Sequence, residues 1–253
     1  MKKIWKYRFY YYLALPGLVY FIIFHYVPMA GALIAFKDIS PFDGLQGFFD
    51  APWVGLTHFE RFTSSVYFYD VIENTLIISG LKILFGFPAP IIFALLLNEV
   101  LRMSLKRVMQ TISYLPHFIS WVVTAGMITA LLATSGGLIT ETINDFTGSS
   151  INFLGNKDYF VGILVTSHVW KTIGWSSIIY LAAMSSIDPA LYESARIDGA
   201  NRLQMAWHIT LPSIMFVIVI MFLLEIGNLL EAGFEQILLL YSPSVYKVAD
   251  IID

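Results

Sequence analysis

Apolar residues run along this chain in long blocks separated by short polar connections. Five blocks reach the roughly 20 residues that a helix needs to cross a hydrocarbon core about 30 Å thick. They lie at about Phe9–Phe36, Val71–Leu97, Thr111–Ala133, Tyr159–Ala183 and Leu211–Ala232. None alternates with the period of a barrel strand. Lipid offers no partner for a free N–H or C=O, so each block is predicted to be a helix. The predicted fold class is all-α, a polytopic helical membrane protein with five transmembrane helices. The first block follows a basic start but far exceeds the apolar core of a signal peptide, about 7–15 residues. It is read as a retained span.

Composition agrees and narrows the chemistry. Apolar residues make up 57% of the chain and charged residues 13%, against about 25% charged in soluble domains. With a mean hydropathy of +0.71, much of the surface is expected to face a lipid bilayer. A net charge of −3 argues against nucleic acid as a partner. The absence of cysteine excludes disulfides, thiolate metal sites and a thiol nucleophile. The five histidines are scattered without ligand spacing, so no metal site is predicted. No serine has a G-x-S-x-G context and no acid pair stands out, so no catalytic residue is assigned.

Orientation follows from the basic residues. Lys2, Lys3, Lys6, Arg8, Arg102, Lys106, Arg107, Arg196 and Arg202 fall on alternate connections that share one side. The other side holds only Lys37, Arg61, Lys157 and Lys247. The positive-inside rule places the amino terminus in the cytoplasm and residues 37–70 and 134–158 outside. The outer stretch is rich in aromatics, among them Phe42, Phe48, Phe49, Trp53, Phe59 and Phe62. These suit either a small cap or an interfacial belt.

The connection between the fourth and fifth blocks carries the most information. Asp188 is a good N-cap, and Pro189 suits a first helical position. A short helix is predicted from Pro189 to about Asp198, ended by Gly199, which takes φ > 0 without a Cβ penalty. Asn201 is placed to cap a second short helix running to Thr210, with Pro212 opening the last span. A piece with both charge and apolar surface suits docking into a groove on another protein. A helix lying at the lipid headgroups fits the same pattern.

Here the sequence resembles a known family. Glu193, Ala195, Gly199, Ile209, Leu211 and Pro212 match the EAA–G–I–LP signature of permease subunits of bacterial binding-protein-dependent ABC importers, with Ser194 in place of the usual alanine. The stretches Tyr114–Trp121, Gly174–Trp175, Ile178–Ala183 and Ala232–Gln236 resemble the carbohydrate branch, in particular polysaccharide and oligosaccharide permeases of the LplB type. The resemblance implies a single permease domain over 1–253 in a bacterial plasma (inner) membrane, with 188–212 as its cytoplasmic coupling-helix loop. It further implies a sixth span beyond the residues given. Implied partners are a second homologous permease, two ATP-binding subunits, an extracytoplasmic solute-binding protein and a saccharide substrate. The chain has no G-x-x-x-x-G-K-[ST] loop, so no cofactor is expected in it. ATP and Mg are expected in the partner subunits. Within the loop, Glu193 and Asp198 would supply polar contacts. Tyr192, Ala195 and Ile197 would supply shape, and Gly199 turn geometry.

Ionisable residues within spans are the second clue, because a charge at mid-bilayer costs about 2.5–3.5 kcal/mol on translocon scales. Lys82, Lys171 and Glu225 fall in apolar blocks, and Lys171 lies between Trp170 and Trp175. Aromatic faces beside polar groups suit a sugar. An ion pair of Lys171 with Glu225, or a lysine snorkelling to the interface, satisfies the same residues. Pro88 and Pro90 are expected to interrupt the second span. A secondary transporter or channel, not driven by ATP, is the competing reading; it would need no coupling helix.

Overall fold

The computed structural model describes residues 6–40, 42–148 and 150–252. Lys2 and Lys3, which contribute to the orientation argument, and Asp253 lie outside them. Regular secondary structure among the described residues is all helical, apart from one isolated β-bridge between Lys37 and Trp53. The chain forms two compact units, Met1–Phe68 and Tyr69–Asp253.

The first unit opens with a 29-residue helix, α1 (Arg8–Phe36), which buries none of its apolar window. A π turn at Ile22–Tyr26 precedes Pro28 and shifts the ladder where the proline has no N–H to donate. Beyond it, the chain folds around one lysine. The Lys37 ammonium donates to the carbonyls of Phe48 (2.8 Å) and Phe49 (3.2 Å) and lies 5.3 Å from the Trp53 ring centre. The Val54 N–H reaches Phe36 O at 2.9 Å, and a His58 ring nitrogen sits 3.0 Å from Lys37 O. This gathers the helices α2 (Gly44–Asp50) and α3 (Thr57–Thr63) into a small cap, with Phe42, Phe49 and Trp53 still exposed.

From Tyr69 on, the second unit holds α4 (Phe68–Asn98), apolar and 31 residues long. Its two prolines confine the break to a single turn residue, Phe87, rather than dividing the span. The third block, predicted as one rod, is bent. Helix α5 with its 3-10 extension (Met103–Phe118) meets α6 (Trp121–Leu131) at 101°. Ser120 caps α6, accepting from Val123 N. An amphipathic helix, α7 (Leu138–Thr147), leads to α8 (Lys157–Ser185), 29 residues long. At about 1.5 Å per residue α8 has spanning length, yet it is not one of the three helices among the described residues that are long and apolar enough to cross a membrane, four if the bent pair is one span. The reason is its inward face: Ser167, Lys171 and Ser177 are buried beside Phe160, Leu164, Tyr180 and Met184. Two apolar clusters pack on that face. One gathers Ile78, Phe160, Leu164, Ile237 and Val245; the other gathers Ile91, Ala94, Tyr180, Met184 and Ile214.

After α8 come α9 (Pro189–Ile197) and α10 (Arg202–Gly227). The second short helix expected to end at Thr210 instead runs on into the last span. A π turn at Ala206–Thr210 carries the ladder past Pro212. The tail holds α11 (Phe234–Leu240) and α12 (Tyr246–Ala249), tied to α4 by Asn74, whose side-chain amide donates to Lys247 O and Asp250 O at 3.0 and 3.1 Å. Burial there, and then the charge of Asp70, raise the Asp250 carboxyl above its ordinary pKa.

Candidate functional site

The segment 188–212 is built from local hydrogen bonds. The Asp188 carboxylate accepts from Ala190 N at 2.9 Å, and Pro189 takes the first helical position. Gly199 closes α9 at φ +80°, with Ala200 N bonded back to Ala195 O at 2.9 Å. Asn201 and Gln204 then form a reciprocal capping box of 2.8 and 2.9 Å that starts α10. The Tyr192 hydroxyl pairs with Thr210 Oγ1 at 2.9 Å, joining α9 to the π turn of α10. Arg202 reaches Glu99 at 3.5 Å across an exposed surface, where such pairs contribute little.

Of the residues expected to act here, Glu193, Ile197, Asp198, Gly199 and Pro212 are exposed, while Tyr192, Ala195, Ile209 and Leu211 are half-buried. Ile197 is 86% exposed. Beneath the Gly199 turn lies a hollow of about 330 Å³ lined by Ala195, Asp198, Gln204, Met205, His208 and Ile209. An exposed isoleucine beside a hollow on a capped, braced helix is a surface shaped for contact.

The second site is a polar cavity of about 380 Å³, lined in part by Ser79, Lys82, Trp121, His168, Glu225, Asn228, Glu231 and Gln236. Lys82 donates to Ala232 O and Gln236 Oε1, both at 2.6 Å. The Gln236 amide nitrogen donates to Leu164 O and Ser167 Oγ, both at 2.8 Å. Ser79 is 3% exposed and its hydroxyl has no hydrogen-bond partner. A buried donor without a partner is costly, and this one borders the cavity. Carboxylates, amides and a hydroxyl beside an indole can hold a polyhydroxyl ligand.

The structure separates the cluster expected around Lys171. Its ammonium donates to the carbonyls of Pro116, His117 and Ile119, where α5 ends, and lies 5.2 Å from the Trp121 ring centre. No ion pair joins it to Glu225 among the described residues. Trp175 stacks on His117, centroids 4.6 Å apart at 2°. Trp170 borders a different, mostly apolar cavity of about 590 Å³ with Met127, Leu131 and Tyr159. Of the five residues singled out within the spans, only Lys82 and Glu225 line the polar cavity.

Sequence reading assigned no site role to Ser79, Trp121 or Gln236, although the last two close the stretches Tyr114–Trp121 and Ala232–Gln236 that carry the family resemblance. Gln236 offered a signal, as an amide directly before the apolar run Ile237–Leu240. Ser79 did not, since one serine in a span is unremarkable until its hydroxyl is seen to lack a partner.

The profile of the family "Binding-protein-dependent transport system inner membrane component" matches residues 86–246. The polygalacturonan/rhamnogalacturonan transport system permease protein YteP of Bacillus subtilis (strain 168) is 46% identical over 251 residues, which cover 99% of this chain and 77% of that protein. Protein LplB of the same organism is 44% identical over 243 residues, covering 96% and 76%. A crystal structure of a bacterial ABC transporter involved in the import of the acidic polysaccharide alginate superimposes with a TM-score of 0.89 at 42% identity, covering 99% of this chain and 83% of its counterpart. A structure of bacterial alginate ABC transporter in complex with alginate pentasaccharide-bound periplasmic protein gives 0.88 at 42% identity, covering 98% and 82%.

Proposed function

This chain belongs to the family of binding-protein-dependent transport system inner membrane components, and from that membership we propose how it works as the permease subunit of an ABC importer for oligo- or polysaccharide. It forms one half of the translocation pathway; a second, similar permease forms the other. Five spans start from a cytoplasmic amino terminus, as nine basic residues on one set of connections against four on the other support. The segment 188–212 is the cytoplasmic coupling loop, docked in a cleft of one of two ATP-binding subunits. ATP and Mg bind in those subunits. An extracytoplasmic solute-binding protein delivers the saccharide, which passes the polar cavity at Lys82 and Glu225.

The observation that carries this reading is α9 itself. It is capped at both ends and braced to α10, and among the described residues none covers Ile197. ATP binding can shift the permease only through contacts that differ between its inward- and outward-facing states. A stiff helix joined to two long helices, α8 and α10, converts a small displacement of a neighbour into their movement.

Co-purification tests it. The ATP-binding subunit should be retained by the wild-type chain in detergent and largely lost from an Ile197→Asp variant that still inserts normally. Full retention by that variant contradicts docking through α9. Uptake of a panel of neutral and uronate oligosaccharides into proteoliposomes holding the whole complex identifies the substrate.

A further inference from the structure

We propose that the Tyr192–Thr210 hydroxyl pair is the strut that makes the coupling helix and the last span move together. The inference rests on the coupling role given to α9 above. That helix buries none of its residues, so packing alone does not fix its orientation. Its backbone joins α8 at one end and the Gly199 turn at the other, and two points of attachment leave a rod free to roll about the line between them. A third point off that line removes the freedom. Tyr192 supplies it.

The partner is well placed for this. Thr210 is 3% exposed and ends the π turn, one residue before Leu211 and Pro212 lead into the span. Its Oγ1 lies 2.9 Å from the Tyr192 hydroxyl and 3.5 Å from Met205 O. Either hydroxyl of the pair can donate to the other, and the buried Thr210 gives the phenol a fixed partner. Met205 is itself buried, so the chain of bonds ends on packed structure. A π turn carries a shifted ladder and often marks a functional site. Here it receives the side-chain contact from the coupling helix.

The sequence has no cysteine, so Leu224→Cys, on the exposed face of α10, gives this chain a single site for an environment-sensitive fluorophore, with the labelled wild-type complex as the background control. In the complete complex in nanodiscs, the ATP-dependent fluorescence change reports movement of the last span. Tyr192→Phe and Thr210→Val should each reduce that change about fivefold, the effect expected of one lost partly buried hydrogen bond. Thr210→Val, at a position buried away from the docking surface, should keep the normal amount of co-purified ATP-binding subunit. The double variant should be no worse than either single one, and Thr210→Ser, which keeps the hydroxyl, should restore the response. An undiminished response in both single variants overturns the strut. So does a loss matched by loss of the ATP-binding subunit, which would mean that the pair only holds the docking surface together. A wild-type complex without any ATP-binding subunit would instead overturn the coupling role on which the strut depends.

Discussion

Lys171 illustrates how a lysine survives inside an apolar block. Its ammonium caps the carboxyl end of α5, donating to the carbonyls of Pro116, His117 and Ile119 at a 101° bend, where Pro116 O also accepts from Ile119 N. Gly174, one turn further along α8, lies so close to α5 that a Cβ would run into the Ser113 carbonyl. Lys171→Met should therefore lower stability by about 2 kcal/mol, since buried acceptors left without a donor cost about 1–3 kcal/mol. A lower thermal midpoint in detergent, with unchanged saccharide affinity in transport, is the expected outcome; weakened affinity with unchanged stability would return Lys171 to the sugar path. The spacing of Trp170, Lys171 and Trp175 was legible in the sequence. Their surroundings were not, because which carbonyls meet the ammonium depends on a bend some 50 residues away.

At the scale of elements, the segment 188–212 was the most legible part of the chain. Asp188, Pro189, Gly199 and Asn201 each act within a few residues of themselves, so local rules place α9 and its turn correctly. The end of the next helix was misplaced at Thr210. A proline is expected to interrupt the ladder, and the π turn that carries the ladder past Pro212 has no sequence signature of its own. The bend between α5 and α6 was hidden for a related reason: its apolar residues read as one continuous block. Gly199 gives a direct test of the loop. No atom lies within 4 Å of where its Cβ would be, so Gly199→Val meets open space and only the φ of +80° resists it. That backbone conformation costs a β-branched residue about 1–2 kcal/mol. Membrane insertion should be normal and saccharide uptake clearly reduced in vesicles; full uptake with normal insertion would contradict the role given to the turn.

For the whole molecule, composition and the apolar blocks make an all-helical membrane protein legible, and the inner membrane came from the family resemblance. The blocks overstate how apolar each span must be. Helix α8 carries serines and a lysine where they face protein rather than lipid, and a hydropathy count passes over it. The polar cavity escaped the sequence because Ser79, Lys82, Trp121, Glu225 and Gln236 come from helices far apart along the chain. What ties these scales together is the claim that α9 lies against an ATP-driven neighbour in the cytoplasm. The most direct measurement replaces Ile197 by a photo-crosslinking amino acid in the assembled complex and identifies the adduct by mass spectrometry. A covalent link to the ATP-binding subunit is the predicted result. Adducts with lipid alone would contradict the account.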